Sequence, residues 1–233
     1  MRDYQIKIEP FEYVALQDIR IHKGINCHAD AEIILRIKDD RREAYLSRLY
    51  ADTWVKVTAE GEEGMNTILF HGIVTDFAME QDGYETLLRL KAESGTVLMD
   101  AKEHYRVFQN KDTACSLLFD QITAGYAGGR VQLTEGESDR TEGVLMQYHE
   151  TDWAFLKRLA SLHNRYLTPD VSRKGCCYTV GMPEGMEQGF TATDITLTLD
   201  VRTYRQNAGN GIKGLQPADM LTLTVTDREI CQL

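Results

Sequence analysis

DAEIILRIK, residues 30–38, places Ala31, Ile33, Leu35 and Ile37 at every second position, with Glu32, Arg36 and Lys38 between them beside Ile34. Successive side chains of an extended chain point to opposite faces, so the run reads as a strand with one buried and one mostly wet face. The same period of two recurs in Tyr4-Ile6-Ile8, in Val55-Val57-Ala59, in Ile73-Thr75-Phe77 and in Tyr84-Thr86-Leu88-Leu90. Charged or glycine-bearing turns separate these runs, GEEG at 61–64 and QDG at 81–83 among them. Short antiparallel strands at that spacing predict a small barrel or sandwich over roughly the first 95 residues.

Further along, the period lengthens. Arg42 to Leu49 predicts a short helical turn carrying Tyr45, Leu46 and Leu49. Asp112 reads as the N-cap of a helix whose stripe is Ala114, Leu118 and Ile122 with Leu117 at its flank, stopping at Gly125. A second helix begins near Thr151, has Asp152 in its first turn, and turns Phe155, Leu156, Leu159 and Leu162 to one face. Beyond Pro169 the alternation returns in Cys177–Val180, in Ile195-Leu197-Leu199-Val201 and in Leu221-Leu223-Val225. No Pro-rich or Ser-rich linker intervenes, so the two β-regions are expected to share contacts.

The charge balance narrows the function. Against 26 basic residues stand 36 acidic ones, and a net charge of −10 disfavours a grip on nucleic acid or anionic membranes. Cys27, Cys115, Cys176, Cys177 and Cys231 are odd in number and irregularly spaced, which predicts reduced thiols and a cytosolic origin. The N-terminal MRDYQIKIEPFEY mixes charges with apolar residues and lacks the apolar run of a signal peptide or spanning helix.

Catalytic fingerprints are missing: no phosphate loop, no GxGxxG, no GxSxG elbow, no HExxH and no paired CxxC. Cys27-His28 with His22, or Cys176-Cys177 with a distant histidine, lacks zinc-site spacing, so neither metal nor cofactor is expected. Glu135, Glu137, Asp139 and Glu142 are the only candidates for a carboxylate pair, and such a stretch reads as a solvated loop. His71-Gly72, inside LFHGIVTDF, marks a bulge or a close backbone approach, and Asp76 lies on the opposite face from His71, which leaves that histidine without a partner for base catalysis.

Three stretches, in order, resemble the phage baseplate hub family that includes late control gene D proteins and the amino-terminal part of the type VI secretion spike protein VgrG. The first is Phe70-His71-Gly72-Ile73-Val74; the second runs from Leu98-Met99-Asp100 through Arg106-Val107-Phe108-Gln109. The third and most specific is Gln147-Tyr148-His149-Glu150-Thr151-Asp152-Trp153-Ala154-Phe155-Leu156-Lys157-Arg158-Leu159, leading to Tyr166. The structural positions of the motif are therefore His71, Gly72, Phe108, Gln109, Gln147, Tyr148, Glu150, Asp152, Phe155, Arg158, Leu159 and Tyr166. Tyr148 is expected to end a strand and Tyr166 to open the returning one. Asn164 stands where the family usually has Gly, and Trp153 replaces a usual aliphatic.

The resemblance implies a mainly β chain with some α, in which two tube-type antiparallel β-barrel domains are joined by helices. Residues 1–97 would form the first barrel domain, 98–168 the helix-containing connection, and 169–233 a second barrel region left incomplete at the C-terminus, as in a shortened or minimal hub. It further implies a non-enzymatic homotrimer, a ring that adapts the tail tube protein to a spike or an OB-fold needle protein, with no stable nucleic-acid binding and no membrane insertion. Its place would be a virion tail or tail-like particle assembled in the bacterial cytoplasm. The alternatives are a tail-associated cell-wall hydrolase using the 135–142 carboxylates, and a ligand-binding β-barrel, suggested by 2 Trp, 11 Tyr and 7 Phe.

Overall fold

The computed structural model describes residues 4–49, 52–61, 66–82, 85–110, 112–181, 196–201 and 221–226. Its strands are β1 (Tyr4–Glu9), β2 (Ala15–Lys23), β3 (Asp30–Ile37), β4 (Trp54–Gly61), β5 (Asn66–Asp82), β6 (Glu85–Ser94), β7 (Glu103–Phe108), β8 (Arg130–Leu133), β9 (Leu145–Thr151), β10 (Leu167–Pro169), β11 (Cys177–Val180), β12 (Thr196–Val201) and β13 (Leu221–Thr226). Helices α1 (Arg42–Arg48), α2 (Cys115–Thr123) and α3 (Asp152–Leu162) join them, with 3₁₀ turns at Asp39–Arg41 and Gly95–Asp100.

Eight strands build one curled antiparallel sheet in the order β1-β4-β5-β6-β3-β2-β13-β12. The alternation read from residues 30–38 sets its inner face: Ala31, Ile33, Leu35 and Ile37 are buried and meet Ala92, Leu90 and Leu88 of β6 within a core that also takes Ile19, Ile21, Val55, Val57 and Phe70. Fully burying each such branched or aromatic side chain is worth about 1.5–3 kcal/mol. Tyr45 of α1 caps one end of this core, its hydroxyl donating to the Glu12 carbonyl at 2.8 Å. Leu46, read as part of the same stripe, faces solvent.

Gly72 confirms the close approach expected of it. A Cβ there would stand 2.4 Å from the Glu93 carbonyl oxygen and 2.5 Å from the Phe70 ring, so only hydrogen fits. The bulges of β5 lie on either side of it, one against β4 at Val57/Thr58 and one against β6 at Val74/Asp76.

A second core belongs to the helical module. Trp153, Phe155, Leu156 and Leu159 of α3 meet Leu118, Phe119 and Ile122 of α2, with Met99, Leu167, Tyr178 and Val180 completing the cluster. Two small sheets flank it, β7-β9 antiparallel and β10-β11-β8, in which β11 and β8 run parallel. The described strands within residues 169–233 therefore divide. β10 and β11 serve the helical module, whereas β13 pairs with β2, Leu221 opposite Lys23, and carries β12 on the eight-stranded sheet.

Several local expectations are corrected. Asp112 is not an N-cap: it has φ +66°, and α2 starts three residues later behind Ala114, its first amide taken by the Asp139 carbonyl at 2.9 Å. A long-range bridge, Ala114 to Arg140, sets that start, and no local periodicity reports it. Leu117 and Leu162 are 60% and 56% exposed rather than packed. Tyr148 lies inside β9, which continues to Thr151, and Tyr166 precedes β10 by one residue.

A hydrogen-bonded chain joins the two cores. Ser94 Oγ accepts from the Ala29 amide at 3.0 Å and contacts Thr96 Oγ1 at 2.8 Å, which in turn meets His28 Nδ1 at 2.8 Å. His28 Nε2 bonds Asp100 Oδ2 at 2.9 Å, and the second Asp100 oxygen accepts from Thr151, the N-cap of α3. Because the Asp100 carboxylate only accepts, the neutral His28 ring carries its proton on Nε2. The ring rests on Trp153, centroids 5.0 Å apart.

Candidate functional site at the β7–β9 ribbon

Thr151 turns the end of β9 into α3, accepting from the Ala154 amide at 3.2 Å and so satisfying one of the free amides of the first turn. That turn drives Asp152 inward, where only 2% of its side chain is exposed. A carboxylate so buried must be paired or it costs several kcal/mol. Arg106 of β7 pairs with it and also donates to Gln147 Oε1 at 2.9 Å. Gln147 donates to Asp152 Oδ1 at 2.8 Å and to the Glu150 carbonyl at 3.0 Å, while the Tyr126 hydroxyl donates to Asp152 Oδ2 at 2.7 Å. His104 Nε2 stands 3.5 Å from the same oxygen.

Burial alone would raise the Asp152 carboxyl, but the hydrogen bonds from Arg106, Gln147 and Tyr126 outweigh it and hold it below the ordinary carboxylate range. Burial first, and then the bond to this anion, push the Tyr126 phenol far up. The centre is thus a fixed ionic knot tying β7, β9 and α3 to the loop after α2. The cavity beside it, about 310 Å³, is lined by Lys102, His104, Arg106, Phe108, Tyr126 and Asp152 among others.

A second pair braces the outside. Arg158 grips Glu150 with Nε at 3.0 Å and an Nη at 2.7 Å, donates to the Met146 carbonyl at 2.7 Å, and lies 5.1 Å over the Phe155 ring. Phe155 stacks on Phe108, centroids 5.4 Å apart, and Leu159 is buried beneath. Of the twelve motif positions, the structure gathers Gln147, Glu150, Asp152, Phe155, Arg158, Leu159 and Phe108 around this junction, with Tyr166 buried nearby in chain order. Tyr148 points outward, 70% exposed, and Gln109 is exposed after β7. His71 and Gly72 belong to the large sheet, where His71 meets Trp54 edge-on at 5.8 Å. Burial and then the neighbouring lysines Lys174 and Lys56 lower the His71 pKa.

Arg106, Tyr126 and His104 carry the knot, yet the sequence reading assigned them no role. The available signal was the inward row Lys102, His104, Arg106 at period two, facing an acidic helix start.

The other candidates are placed differently. Glu135 and Asp139 both pair with Arg165, at 2.7 and 3.2 Å. Cys115 Sγ lies 3.4 Å from His163 Nε2, a pairing reminiscent of a thiol nucleophile. Burial, helped by Asp139, pushes that thiol up to about 11, which keeps it protonated and unreactive at neutral pH. No group of three His, Cys, Asp or Glu residues that could hold a metal occurs among the described residues. No helix there is long and apolar enough to cross a membrane.

The described residues thus form a curled sheet bearing a helical module, whose polar groups at the β7–β9 junction are bonded to one another. The sequence model of the phage tail baseplate hub family matches residues 31–163, and the chain belongs to that family. No curated protein sequence matches it. Among solved structures it is similar to the 43 kDa tail protein of prophage MuSo2 from Shewanella oneidensis, at 15% identity over 99% of this chain and 70% of that one, with a TM-score of 0.62. It is also similar to the tail protein from Neisseria meningitidis MC58, at 11% identity over 93% and 68% of the two chains, TM-score 0.57. A third is the E. coli c3393 protein, described as a component of the type VI secretion system similar to T4 tail proteins gp27 and gp5, at 13% identity over 95% and 76%, TM-score 0.56.

Proposed function

We propose that this chain is a non-enzymatic hub subunit of a contractile tail or tail-like injection particle, built in the bacterial cytoplasm, that assembles as a homotrimeric ring between a tail tube protein and a spike or needle protein. The family membership supports the tail-hub role. The observation that supports the ring is the sheet as it stands among the described residues: β1 and β12 are its two ends there, and unpaired sheet edges are normally paired, covered or blunted. In this reading residues 1–97 supply most of the first tube-type wall, 98–168 the connecting region whose motif positions from Phe108 to Tyr166 hold the helical module in place, and the described strands of 169–233 serve both, β10 and β11 in the module and β13 and β12 extending the wall. An acidic lumen would let anionic cargo pass without sticking.

Negative-stain imaging of the full chain at high concentration, with mass measured in solution, tests the assembly. Threefold rings of pseudo-sixfold outline are expected, and a monomer at every concentration, alone and with tube protein, overturns it. The hydrolase reading predicts clearing of cell walls that Glu137→Gln abolishes; no clearing is expected.

A further inference from the structure

The β7–β9 ribbon has two edges that the structure treats unequally. On the β9 side, Arg158 occupies the Met146 carbonyl at 2.7 Å and blocks that edge. A carbonyl so turned outward makes Met146 and its partner Val107 a non-hydrogen-bonded pair of the antiparallel ladder. Val107, and Tyr105 two residues before it, therefore turn their N–H and C=O groups away from β9. Among the described residues nothing bonds to them there.

The two faces beside this bare edge differ in chemistry. The outer face is apolar and exposed: Tyr105 63%, Val107 51%, Met146 53% and Tyr148 70%, with the two tyrosines edge-on at 5.2 Å. Its one acid in β7, Glu103, is paired with His149 at 2.6 Å. The inner face presents Lys102, His104 and Arg106 in a row along the cavity of about 310 Å³. Asp152 answers Arg106, while Lys102 has no ion-pair partner among the described residues, so the row stays positive in a chain of net charge −10.

We propose that the outer edge of β7 accepts an extended segment of a partner protein, added as a third strand whose side chains alternate acidic and apolar. Main-chain bonds to Tyr105 and Val107 supply the register. The acidic side chains lie beside Lys102 and His104, and the apolar ones continue the Tyr105–Tyr148 face. This does not depend on the trimeric ring.

The probe is a short acetylated peptide alternating glutamate and valine, with a lysine–valine peptide as its control, titrated into the full chain by fluorescence anisotropy. Expected are saturable binding of the acidic peptide only and slowed hydrogen exchange at the Tyr105 and Val107 amides. Val107→Pro, which removes an outward N–H and leaves the β9 ladder intact, abolishes binding. Lys102→Glu, a surface change that does not threaten folding, weakens the acidic peptide roughly tenfold and strengthens the basic one. Equal binding of both peptides, no binding of either, or binding indifferent to Val107→Pro overturns the proposal. So does protection of both amides in the free chain through self-association that Val107→Pro disperses, since the edge then belongs to a second copy.

Discussion

Replacing Asp152 by Asn keeps one acceptor but removes the charge that Arg106 and Tyr126 address. Asp152→Asn is expected to cost about 2–4 kcal/mol in urea unfolding at neutral pH, because an unanswered guanidinium is left at a buried junction. The acid dependence follows from the carboxyl being held low in the folded chain. The unfolded chain takes up the proton first, so the stability this group provides is present above the ordinary carboxylate value and is lost as pH falls through the lower folded one. Unfolding curves of wild type and Asp152→Asn should accordingly converge on acidification, and a constant gap down to that range would contradict the assignment. At Gly72 a single methyl group is expected to cost about 1–3 kcal/mol or more in Gly72→Ala, read from the thermal midpoint, since the obstacle is backbone as well as ring. Gly72 was legible from its neighbours, whereas the partner of Asp152 was not. The sequence shows an acid at a helix start, which the dipole alone explains, and Arg106 lies far off in the chain.

Elements were legible where one face of a regular period is buried. β3 and α3 announce themselves because their partners cover a single side, and α3 has its N-cap written in Thr151. Thr151→Ala should cost about 1 kcal/mol by urea unfolding and speed hydrogen exchange in the first turn of α3. The start of α2 was hidden because a neighbouring loop supplies the cap from Asp139, and the exposed Leu117 and Leu162 broke the stripe that apolar counting expects. The ribbon β7–β9 deceives in the opposite direction, since four of its apolar positions, Tyr105, Val107, Met146 and Tyr148, face solvent while Arg106 between them faces in.

At the scale of the molecule, two hydrophobic clusters meet across the His28–Asp100–Thr151 chain. They should loosen separately. Leu159→Ala, a cavity worth about 2–5 kcal/mol, is expected to speed amide exchange across α2, α3 and β8–β11 while β3 to β6 stay slow, and Leu88→Ala should do the reverse. Exchange rising everywhere with either change would mean one cooperative unit. The β-rich class was readable from alternation. The split of the last segment between two sheets was not, because strand partnership depends on contacts across the whole chain and leaves no mark in local period.

The pairing of β13 with β2 has a cost in time. Lys23 leaves the ribosome roughly 200 residues before Leu221 does, and at about 5–20 residues per second its strand waits on the order of 10–40 s for that neighbour. Throughout that interval the nascent chain offers the edge of β2 that faces away from β3 to any sister polypeptide on the same messenger. A chaperone that holds β2, or slow dosing of the transcript, should therefore raise the soluble yield more than any strengthening of the finished interior.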